Sequence, residues 1–114
     1  MDKFLKNINH EEVLKLDDLV QATDGQVVSK TLAQNKYVSI TVFAFSKGEE
    51  ISTHESDGDA LVTVLEGTGK FIVDGKEYIL NAGESVVMPA RKPHSVHAIE
   101  SFKMQLTVVF PLER

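Results

Sequence analysis

Between Ala60 and Met88 the chain reads ALVTVLEGTGKFIVDGKEYILNAGESVVM. Apolar and polar residues alternate in ALVTVL (60–65), GKFIV (69–73), KEYIL (76–80) and SVVM (85–88). In extended backbone successive side chains point to opposite faces, so each run reads as a short strand with one core-facing side. Two of the runs are separated only by Asp74–Gly75. A two-residue hairpin loop needs positive φ at both central residues, and Asp-Gly tolerates this better than most pairs. Asn81–Ala82–Gly83 reads as the next turn.

The pattern continues outward in both directions. Gln26–Leu32, Tyr37–Ser46 (YVSITVFAFS), His94–Ala98 and Lys103–Phe110 are further runs rich in β-branched and aromatic residues. Ala33–Lys36 and Lys47–Gly48 read as turns, and Pro89 and Pro93 bracket a loop. About eight short strands with no good helix between them predict an all-β sandwich, jelly roll or closed barrel. Only the first 20 or so residues carry a helical signal: Asn9 can cap a turn, with Glu12 three residues on as in a capping box, and a short helical or irregular segment, a single turn as readily as a helix, is expected there. No linker or repeat interrupts the pattern, so one domain over 1–114 is expected, with a barrel core at about 26–110.

The 114 residues are 42% apolar and 25% charged, an ordinary globular balance. The net charge is −5 and the 12 Lys and Arg are scattered. Nucleic-acid binding needs a basic footprint, so no polynucleotide partner is expected. There is no cysteine, which removes disulfides, thiolate metal sites and Cys nucleophiles. No apolar run reaches signal-peptide or membrane-span length, so the expectation is a cytoplasmic protein with no membrane partner.

Two segments say more. The first, from Gly48 to Gly67, is GEEISTHESDGDALVTVLEG; the second, from Gly83 to Ala98, is GESVVMPARKPHSVHA. Together they resemble the two motifs of the small single-domain cupins of the RmlC-like superfamily (cupin 2 type), G-x5-H-x-H-x3–4-E-x6-G and G-x5-P-x-G-x2-H-x3-N. The resemblance covers roughly residues 26–110 and implies a double-stranded β-helix, or jelly-roll, barrel. In metal-binding members the motifs supply three His and one Glu to a divalent ion. Here His54 matches the first His and His94 the third. Ser56 falls at the second His, Ala60 at the Glu, Arg91 at the Gly and Ala98 at the Asn.

The resemblance therefore implies a depleted metal set, His54 and His94 alone, and two imidazoles make a weak site. Period-two parity places Glu55, Asp57 and Asp59 on the opposite face from His54, Ser56 and Ala60, unless a bulge at Gly58 turns Asp57 or Asp59 inward. His97 has the wrong parity relative to His94 and is placed outside; His10 reads as surface. The expected pocket joins the two His, also the candidate catalytic pair, to Ser56, Ala60, Val62, Val96, Ala98, Met104 and Leu106. Its expected ligand is a small, partly apolar molecule, anionic or carbonyl-bearing. The alternatives are a divalent-metal enzyme (Zn, Ni, Fe or Mn; oxygenase, isomerase or lyase type) and a non-catalytic dimeric scaffold or regulatory module. No Asp or Glu is placed to orient a Ser–His pair, which argues against a hydrolase triad. The Tyr37–Ser46 strand is apolar on both faces, so its outer face should be covered by the N-terminal segment or by a second subunit, the latter implying a homodimer.

Overall fold

The computed structural model describes residues 3–113. It contains nine strands: β1 (Val27–Gln34), β2 (Val38–Phe45), β3 (Glu50–His54), β4 (Asp59–Glu66), β5 (Thr68–Val73), β6 (Lys76–Asn81), β7 (Ser85–Met88), β8 (His94–His97) and β9 (Phe102–Val109). They form a five-stranded sheet, β1-β2-β9-β4-β7, and a four-stranded sheet, β3-β8-β5-β6, with every pairing antiparallel. The Asp74–Gly75 turn is as expected, with φ of 50° and 82° joining β5 to β6.

The core lies between the sheets. Phe45, Phe71 and Phe102 fill one end, Phe45 and Phe102 stacking at 4.7 Å and Phe71 meeting Phe102 edge-on at 6.0 Å. Gly69 permits this packing, because a Cβ there would stand 2.7 Å from the Phe102 ring. Away from these rings the interior is lined by smaller side chains, Ala60 lying level with Val108 on β9 and Met88 on β7.

The second apolar face of β2 is also buried. Val42 and Ala44 pack with Leu32 and with Ile8, Leu19 and Val20 of the N-terminal segment. The N-terminal segment, one of the two covers that the sequence left open, packs on this face. Lys103 helps to hold it, its Nζ donating to Asp17 O at 2.8 Å. Of the helical and irregular forms expected for the N-terminal segment, residues 9–15 take the irregular one. Those residues form no α-helix, and Asn9 Nδ2 bonds the Glu12 side chain instead of capping a backbone N–H. A single 3-10 turn occupies Leu16–Leu19. Among the described residues no helix is long and apolar enough to cross a membrane.

Candidate functional site

His54 ends β3 and His94 opens β8, and the two residues are direct partners across that ladder. The register shifts between Ile51 and His54. One extra residue in an antiparallel strand reverses the facing of the residues after it. Ile51 and His54 have opposite parity, yet the bulge turns both inward, onto one cavity of about 140 Å3. Its other walls are Phe43, Ser56, Ala60, Met88, His94, Val96, Met104, Leu106 and Val108. Ala60 lies between Met88 on β7 and Val108 on β9, so the position of the missing Glu is a small apolar floor.

His94 is 3% exposed, whereas His54 is exposed and stands at the mouth. Their Nε2 atoms face each other at 3.1 Å, with the rings edge-on. Each Nδ1 sits on a carbonyl oxygen: His54 on Ser52 O at 2.9 Å, His94 on Lys92 O at 3.1 Å. A carbonyl only accepts, so in each neutral ring Nδ1 carries the hydrogen. Burial first, and the neighbouring His54 second, hold the His94 pKa below the ordinary 6.5; the Lys92 carbonyl and the Glu55 carboxylate oppose them.

Ser56 Oγ accepts the Gly58 N–H at 3.1 Å, and Ser56 O accepts the Arg91 N–H at 2.7 Å, which stitches the two motif loops together over the mouth. Arg91 keeps a left-handed backbone, φ 62°, where the motif has glycine.

The lining residues expected besides the two His fall into two groups on this frame. Ser56, Ala60, Val96, Met104 and Leu106 line the cavity. Val62 and Ala98 face the same interior, but they are packed into the core and lie outside the cavity wall. Phe43, Ile51, Met88 and Val108 were missed. Wider grooves lie on the surface, about 510 Å3 beside Lys3–Asn7 and about 370 Å3 beside Asp57–Asp59. Neither contains a His, and the smaller enclosed cavity is the one with converging polar groups on an apolar wall.

The donor set can be tested against a metal ion. With Zn–N bonds of about 2.0–2.1 Å, two ligands of one tetrahedral ion stand about 3.3 Å apart, close to the gap between the Nε2 atoms. The remaining donors do not follow. Ala60 has none, and the Asp59 carboxylate is turned away to accept the Ala90 N–H at 2.8 Å. Among the described residues no group of three or more His, Cys, Asp or Glu side chains gathers. The residues present do not fit a divalent ion held by protein ligands alone.

On the outer face of the four-stranded sheet one expectation is overturned. His97 Nδ1 bonds the Glu50 carboxylate at 2.8 Å, and its Nε2 accepts from Ser95 Oγ at 2.9 Å. An acid does orient a Ser–His pair here. Ser95 is 3% exposed, however, so no substrate carbonyl reaches its Oγ, and a hydrolytic nucleophile needs that access. The chain of bonds braces β3 to β8, the strands that carry His54 and His94. His97 is thus outside the barrel, as its parity required, and His10 is exposed.

Two sheets wound as a jelly roll, with a His pair on paired strands at one mouth, define a cupin barrel. The cupin domain family model Cupin_2 matches residues 41–110, and the chain belongs to that family. Its fold is close to that of a conserved protein of unknown function from Streptococcus pyogenes: 42% identity, 96% of each chain covered, TM-score 0.94. It is also similar to a cupin superfamily protein from Desulfitobacterium hafniense: 34% identity, 94% of this chain and 98% of the other covered, TM-score 0.89. A salicylate 1,2-dioxygenase from Pseudoaminobacter salicylatoxidans shares the fold at 20% identity and TM-score 0.69, with 82% of this chain and 28% of that one covered.

Proposed function

We propose that this cupin binds a small, largely apolar molecule in the barrel, with its polar group against His54 and His94. The observation that carries this reading is the cavity of about 140 Å3, apolar on its walls except for His54, Ser56 and His94. Roughly 150 Å3 of apolar cavity accommodates benzene, so the ligand is about that size. A filled barrel would have suited a pure scaffold; a cavity with a polar end suits a ligand. The second reading, a divalent-metal enzyme, is favoured by the convergence of the two Nε2 atoms and disfavoured by the missing third and fourth donors. A homodimer belongs to the same proposal. Leu61, Val87 and Val109 are exposed on the outer face of the five-stranded sheet, Leu61 directly beside Val87. A Leu61→Glu variant that leaves the gel-filtration mass unchanged would remove that part.

The test of the pocket is a titration of the chain with small aromatic fragments, followed through the methyl resonances of Met88 and Met104. Ala60→Phe fills the floor of the cavity. Saturable shifts in the parent that disappear in Ala60→Phe are expected; fragments that never move these methyls would end the reading.

A further inference from the structure

The chemical class of that ligand is set by the two imidazoles, and the step rests on the proposed pocket. Ser52 O and Lys92 O each claim an Nδ1 hydrogen. A neutral imidazole has one N–H, so both Nε2 atoms are left as bare lone pairs. They meet at 3.1 Å, a hydrogen-bonding distance with no hydrogen of their own to share. Two lone pairs facing each other at this distance repel unless a hydrogen or a cation comes between them. Ser56 Oγ accepts the Gly58 N–H and makes no hydrogen bond to either ring, so its hydrogen is not the one between them.

We propose that the ligand is a hydrogen-bond donor on a compact apolar body, an aromatic or enolic hydroxyl compound, whose O–H is directed at His54 Nε2 and His94 Nε2 together. The apolar body lies against Phe43, Ile51, Met104, Leu106 and Val108. A carboxylate or a bare carbonyl offers only acceptors to a pair that is itself accepting, so the anionic or carbonyl-bearing ligand expected from the sequence is the wrong complement. A donor also relieves the lone-pair clash that an apolar molecule of the same shape leaves in place.

The experiment is a methyl-NMR titration of the full chain, treated with chelator and held at about pH 8, where an ordinary imidazole is neutral. The probes are phenol, toluene and benzoate. The expected result is phenol bound about tenfold more tightly than toluene, with benzoate weakest, and that preference lost in His54→Leu; His54 is exposed, so the change spares the core. Imidazole nitrogen shifts give a second readout that needs no variant, with both Nδ1 protonated and both Nε2 bare. Toluene equal to phenol leaves the pocket standing and overturns the donor assignment, as does benzoate tighter than phenol. A divalent ion still held on the two Nε2 atoms after chelation overturns it too. If neither phenol nor toluene binds, the pocket reading fails and takes this inference with it.

Discussion

The Glu50 carboxylate and the His97 imidazole join β3 to β8 at 2.8 Å, on the outer face of the same pair of strands that presents His54 and His94 to the interior. The brace matters because β3 is short and bulged: it pairs with β8 at only Glu50, Ile51 and His54. A short ladder with a register shift is the part of a barrel most easily displaced.

His97→Ala should therefore cost about 1 kcal/mol, a modest value because the Glu50 side chain is 58% exposed. For a chain of this size that is a fall of about 4 °C in melting temperature. Glu50→Gln keeps an acceptor and should lose less. The added readout is fragment affinity, which should weaken in His97→Ala, since His54 then moves relative to His94. An unchanged melting point with unchanged affinity would show that the brace positions nothing.

The His94 pKa lies below 6.5 because burial and His54 disfavour its charged form. The folded state then binds fewer protons than the unfolded state as pH falls past 6.5. Stability from this group is fully present above the unfolded value, declines below it, and levels off once pH has passed the folded value. Melting temperature should thus fall on acidification through that window, and the fall should be shallower in His94→Asn. A profile of the same slope in both proteins would assign the acid sensitivity to other groups.

The fold was largely legible in the sequence because alternation and turn chemistry are local. Asp74–Gly75 fixes its hairpin without help from the rest of the chain. β3 does not read as a strand, since Ser52 and Thr53 are polar and the bulge breaks the alternation that would have marked it. The same bulge hid Ile51 from the pocket. Parity told which residues face inward, but not how deep along the barrel they sit. That is why Val62 and Ala98, correctly faced, belong to packed core, while Met88 and Val108, at the level of Ala60, line the cavity. The Glu50–His97 contact needed the pairing of strands distant in sequence, which no local pattern encodes.

Arg91 holds φ at 62°, a left-handed conformation that is unfavourable for a side chain with a Cβ. Glycine relieves that strain but adds unfolded-state entropy, so the two effects partly cancel. Arg91→Gly should raise stability by about 0.5–1 kcal/mol, measured by urea unfolding with an unchanged slope. A loss instead would mean that the Arg91 side chain holds the 89–93 loop more firmly than its backbone resists.

The depleted donor set yields a gain-of-function test. Ser56 and Ala60 both line the cavity beside the paired His. Ser56→His with Ala60→Glu would return a third imidazole and one carboxylate to it, a set of four that suits a divalent ion. Charge alone would make Ala60→Glu costly in this apolar floor, so the double variant should be less stable without metal and regain stability when metal binds. Elemental mass spectrometry on untagged protein purified without chelator should find near-stoichiometric metal in the double variant. Far less is expected in the parent, and least in His54→Ala/His94→Ala. A parent already holding one equivalent, lost when the two His are removed, would mean that waters or a ligand complete the shell, and the metal-enzyme reading would displace the hydroxyl-binding one.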